Sequence, residues 1–126
     1  MKQFLLIITI ILTACSTKID QRVFGIWKTN SNYYKATYKI EKNKKKIIGK
    51  LLYYNDGTTV LHETGTDKDI FIKDLKYRNQ SYVDAVSGAT KTTIQNYKIK
   101  VKHNDTLEVT KYIRNKPLIE TWTRKQ

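Results

Sequence analysis

The sequence predicts an all-β fold, an antiparallel barrel or sandwich of roughly six to nine short strands. Two observations carry that prediction. Apolar and polar residues alternate with a period of two along several segments, as strands buried on one face do. Turn signals interrupt those segments at short intervals, and no stretch after Leu12 has a 3.6-residue apolar period.

The N-terminus comes first. Met1 to Gln3 carries one positive charge, and Phe4 to Leu12 (FLLIITIIL) is apolar apart from Thr9. A helix across a hydrocarbon core of about 30 Å needs about 20 residues, so this run is too short to span and has the length of a signal-peptide core. Leu12-Thr13-Ala14-Cys15 resembles the lipobox of bacterial lipoproteins, in which small residues precede the cut and the cysteine thiol accepts a diacylglyceryl group. The expected organisation is a signal peptide over 1–14, a polar lipidated tether over 15–22 and one domain over 23–126. Several acyl chains at one residue, palmitate among them, give stable membrane attachment. The resemblance implies the cell envelope, and Ser16 in place of aspartate implies the outer membrane, facing periplasm or surface, if the organism has two membranes. Cys15 is the only cysteine, so no intramolecular disulfide can form. About 110 residues follow the signal, enough for one core and not for two.

Strand signals begin at Val23. In Tyr33 to Glu41, Tyr34, Ala36, Tyr38 and Ile40 share one face and Lys35, Thr37 and Lys39 the other. A lysine turn leads into Ile47 to Tyr54, which ends at the turn signal Asn55-Asp56-Gly57. Tyr97, Ile99 and Val101 alternate with Lys98, Lys100 and Lys102 before His103-Asn104-Asp105 turns the chain into TLEVTKYI. PLIETWTR closes the sequence, with Pro117 at a strand start where its missing N–H costs little.

Gly25-Ile26-Trp27 opens the first strand and Trp122-Thr123-Arg124 ends the last. This resembles the lipocalin or calycin pattern and implies a small antiparallel up-and-down barrel. In that pattern the first tryptophan sits at the closed end and an arginine from the last strand covers its ring, a cation–π contact of roughly 0.5–2 kcal/mol. Two ordinary core aromatics are the alternative. A wider resemblance is to an uncharacterised bacterial envelope family, domain of unknown function twenty-one forty-seven. It rests on Gly25-Ile26-Trp27, on Ile40 with Gly49-Lys50, and on TLEVTKYIRNKPLIETWTR from Thr106 to Arg124. Lys111 stands where that family has a glycine and a bend. The resemblance implies a fold and a location, and no activity.

The stretch SYVDAVSGATKTT, Ser81 to Thr93, has two readings. Asp84 to Thr90 resembles the D-x-x-[ST]-G-A-T motif of FMN-binding domains, which would make Thr90 the site of a covalent FMN phosphoester and Asp84 a metal or transferase contact. The other reading is a connection between strands, in which Asp84 and Ser87 cap the turn and Gly88 takes positive φ. The stretch also resembles a D-P-x-S-G-K-T-Y segment that the envelope family has at this place, which implies hairpin roles for Asp84, Ser87, Gly88 and Thr90 and leaves only Ala89 unexplained. FMN-binding domains are mixed α/β, a pattern this chain lacks, so the turn is the reading adopted here.

Other chemistry is sparse. His62, Glu63, Asp67 and Asp69 lie in one polar segment without the spacing of a calcium loop or a second histidine for zinc, so no metal is expected. There is no phosphate loop and no G-x-S-x-G elbow. The chain carries 24 Lys and Arg against 11 Asp and Glu. Lys42, Lys44, Lys45 and Lys46 crowd one turn, which is either solvated surface or a contact for anionic lipid head groups or an acidic envelope partner. Secretion argues against nucleic acid. The resulting expectation is a lipid-anchored envelope protein with a binding or interaction role and no catalysis; the alternative is a covalent FMN carrier in envelope electron transfer.

Overall fold

The computed structural model describes residues 19–29, 31–84, 97–114 and 116–126. Among the described residues ten strands form one antiparallel sheet: β1 (Gly25–Thr29), β2 (Lys35–Asn43), β3 (Lys46–Asn55), β4 (Val60–His62), β5 (Ile70–Ile72), β6 (Leu75–Arg78), β7 (Ser81–Asp84), β8 (Tyr97–His103), β9 (Thr106–Ile113) and β10 (Lys116–Arg124). Their order is β4-β3-β2-β1-β10-β9-β8-β7-β6, with β5 also on β3. Sequential strands are neighbours except β4 and β5, which both lie along β3, and β10 returns to pair with β1. Only Lys73 and Asp74 separate β5 from β6, and the two act as one bent strand. Its first part pairs with β3 and its second with β7, so the edges of the curled sheet meet through it. The fold is an all-β, up-and-down, lipocalin-like barrel.

The alternation read from sequence decides which way the wall faces. Ala36, Tyr38 and Ile40 on β2, Ile99 on β8, Leu107 and Val109 on β9 and Trp122 on β10 join one buried cluster with Trp27, Ile72 and Tyr82. Lys98, Lys100 and Lys102 point to solvent. Closure requires close approach at Gly49, opposite Ile72: a Cβ there would lie 3.0 Å from Ile72 Cδ1 and 3.1 Å from its Cβ.

Register separates two ends. At one, Gly25 faces Ile40 and Arg124 faces Trp27, and the turns between β2 and β3, β6 and β7, and β8 and β9 gather there. At the other lie the β1–β2 loop and the β3–β4 and β9–β10 hairpins.

One local boundary changes. The end of the expected tether belongs to the folded domain: Gln21–Val23 is a 3-10 turn capped by the Asp20 side chain. The Tyr82 hydroxyl donates to Asp20 O at 2.7 Å and accepts from Asp20 N–H at 3.0 Å. Asp84 ends β7 opposite Leu75 and is only 2% exposed, and the connection expected after it lies outside the described residues. At Lys111, which replaces the glycine of the envelope-family pattern, β9 runs on without that family's bend, paired with Leu118 and Tyr97.

Candidate binding site at the open end of the barrel

The closed end is built around Trp27 and Arg124, which the structure brings together. Arg124 lies over the indole, 4.3 Å from guanidinium carbon to ring centroid, and Trp27 is fully buried. The guanidinium donates to three main-chain carbonyls, Asn104 (2.8 Å), Phe24 (2.8 Å) and Arg22 (2.7 Å), while Trp27 Nε1 donates to Val23 O at 2.9 Å. One side chain thus satisfies carbonyls of the N-terminal turn and the β8–β9 turn and covers the ring face. Gly25 has φ 137°, and a Cβ there would collide with the guanidinium, so the glycine of the G-x-W signature leaves room for the arginine.

The open end differs in its chemistry. Inward positions on β9 and β10 change there from apolar to charged: Leu107 and Val109 lead to Lys111, and Trp122 leads to Glu120. Glu120 accepts hydrogen bonds from the Tyr34 hydroxyl and from Trp122 Nε1 (3.1 Å) and forms an ion pair with Lys111 at 3.3 Å. Lys111 also donates to the Tyr34 hydroxyl at 3.1 Å and sits 5.2 Å from the centroid of that ring.

Aromatic rings form the floor beneath this cluster. Trp122 stacks on Tyr38 at 4.5 Å, Tyr38 meets Phe71 at 4.9 Å, and Phe71 meets Tyr97 edge-on at 5.5 Å, so the series crosses the interior from β10 to β8. Burial, then the hydrogen bond donated to Glu120, pushes the Tyr34 hydroxyl well above the usual phenol range. Burial is also the main cause that raises Tyr38 and pushes Tyr97 up to about 12. These hydroxyls stay protonated at neutral pH.

Unequal strand lengths open a cleft beside the cluster. β1 pairs with β10 only from Trp27 to Thr29, while β10 continues to Lys116. Between that overhang and the β1–β2 loop lies a cleft of roughly 640 Å³, within the several-hundred-Å³ range of small-molecule sites. Ile113, Leu118, Ile119 and Tyr33 give it an apolar wall, and Tyr34, Lys111 and Glu120 a polar end. Tyr33 is 85% exposed and Ile119 61%. The site can hold an amphipathic molecule, its polar group at Lys111 and its apolar part on the hairpin.

Lys111 and Glu120 were not among the residues expected from sequence. Their signal was present: each is a charge on the face that otherwise alternates apolar residues, and the two charges are opposite. Cys15 and Thr90 lie outside the described residues. Asp69 organises its own loop, accepting from Thr64 N–H at 2.8 Å, Thr64 Oγ1 at 2.7 Å and Gly65 N–H at 2.8 Å. Among the described residues no group of three or more His, Cys, Asp or Glu could hold a metal ion. No family model, curated protein or solved structure matches the chain.

Proposed function

We propose that this protein is a lipid-anchored component of the cell envelope whose barrel binds an amphipathic small molecule in the open-end cleft. The single observation behind the binding role is that cleft, where exposed apolar side chains border the Tyr34–Lys111–Glu120 cluster. A contiguous exposed apolar patch with a polar border is a common mark of ligand or partner surfaces. The lipobox-like Leu12 to Cys15 supports the anchor, and the G-x-W and W-x-R resemblances support placement in the envelope family named above.

Trp122 donates to Glu120 beneath the cleft, so its fluorescence is a direct reporter. Titration with the amphipathic probe 1-anilinonaphthalene-8-sulfonate is expected to saturate and to change tryptophan emission. Ile119→Asp on the exposed wall should weaken binding at least about tenfold, the scale of losing one buried aliphatic side chain. A non-saturating signal, or one unchanged in Ile119→Asp, would remove the binding role. The anchor is tested separately: Cys15→Ser should abolish palmitate labelling and leave unprocessed or soluble protein.

A further inference from the structure

The described chain starts at the closed end, and the densest group of lysines lies at the same end. Ile19 and Gln21 share a surface pocket with Lys39 and Lys42. From Lys42 the β2–β3 turn carries Lys44, Lys45 and Lys46, all exposed. None of these four forms an ion pair among the described residues. Asp67 and Lys73 border the turn, so the acid there is outnumbered. The other nearby acids are already engaged, Asp20 by Arg22 at 2.7 Å and Glu41 by Lys39 at 3.3 Å and Lys50 at 3.1 Å.

We propose that the closed end is a membrane-docking surface on which Lys42, Lys44, Lys45 and Lys46 rest against anionic phospholipid head groups, so that the open-end cleft points away from the membrane. The inference rests on the anchor at Cys15. Four residue steps separate Cys15 from Ile19, a reach of at most about 14 Å when fully extended. Electrostatic attraction to an anionic surface decays over about 8 Å at physiological salt. An anchored chain therefore cannot carry its closed end far beyond the range where lysines sense the lipid charge. The tether attaches beside the lysine turn, and the open end lies a strand length away. Lys98 and Lys100 lie farther along β8 on the side wall and do not share this position, whereas Lys102 abuts the β8–β9 turn at the closed end.

The test uses full-length acylated protein reconstituted into phosphatidylcholine vesicles with and without phosphatidylglycerol, labelled with a membrane-impermeant amine reagent and mapped by peptide mass. With phosphatidylglycerol, labelling of Lys42, Lys44, Lys45 and Lys46 should fall by about fivefold or more and recover at high salt, while Lys98 and Lys100 remain unchanged. The variant carrying Lys44→Gln, Lys45→Gln and Lys46→Gln, all on an exposed turn, should lose the protection of Lys42. Acylated Cys15 with an unprotected turn overturns the docking surface alone, as does equal or greater protection of the side-wall lysines. An unmodified Cys15 in the recovered N-terminal peptide overturns the anchor, and the docking surface with it.

Discussion

The two ends of this barrel place charge in opposite ways. At the closed end Arg124 aims its guanidinium at main-chain carbonyls and an indole face, so its partners belong to the backbone and cannot be repacked by a side-chain change. At the open end Lys111 and Glu120 answer each other, with Tyr34 and Trp122 completing the carboxylate's shell. A cation that satisfies backbone is part of the closure, whereas a pair of side chains at a partly solvated rim can be exchanged for apolar residues. Closed-end substitutions should therefore act on stability, and open-end substitutions mainly on what the cleft can hold.

The largest effect should come from Trp27→Ala. It empties a fully buried indole site and removes the platform beneath Arg124, a loss of about 3–5 kcal/mol in urea unfolding. An effect below 1 kcal/mol would show that Trp27 does not organise the closed end. Gly25→Ala should follow at about 1–3 kcal/mol, because the positive φ is strained for alanine and the new methyl displaces the guanidinium. A crystal structure of this variant should show Arg124 off the Phe24 carbonyl.

The open end supplies the contrasting result. Glu120→Leu alone should cost about 1–2 kcal/mol by leaving Lys111 and Tyr34 without their acceptor. Combined with Lys111→Met, stability should return to within about 1 kcal/mol of the parent, since apolar replacement of a poorly solvated ion pair is often neutral. Probe binding in the cleft should still change. A double variant no more stable than the single one would mean that this pair, like Arg124, is part of the closure.

At neutral pH the smallest effect belongs to tyrosine ionisation. Tyr82 near the closed end and Tyr97 near the open end are both pushed up to about 12, in each case chiefly by burial. The folded state holds these protons more tightly than the unfolded chain, whose value lies near 10.0. Their contribution is therefore intact below pH 10 and lost as pH rises towards about 12. Tyrosinate absorbance and circular dichroism followed together should show the last tyrosines ionising as the fold is lost. Tyr82→Phe and Tyr97→Phe should each shift that transition upward.

What could be read from the sequence was whatever a single strand expresses on its own. Burial of one face imposes a period of two, so β2, β8, β9 and β10 were marked by Ala36, Tyr38, Ile40, Ile99, Leu107, Val109 and Trp122. Asn55-Asp56-Gly57 marked its turn for an equally local reason, since Gly57 has φ 92°. The closing pair was also visible, because Gly25-Ile26-Trp27 and Trp122-Thr123-Arg124 mark the two ends of the domain. β5, β6 and β7 span only three or four residues each, too few to display a period, and their role comes from lying between β3 and β8. The cleft depends on β10 outrunning β1, and the Tyr34–Glu120 contact joins residues 86 positions apart. Alternation fixes which face of a strand is buried, but only the register of distant strands decides which inward residues meet, and so only the closed barrel places Lys111, Glu120 and Tyr34 at one rim.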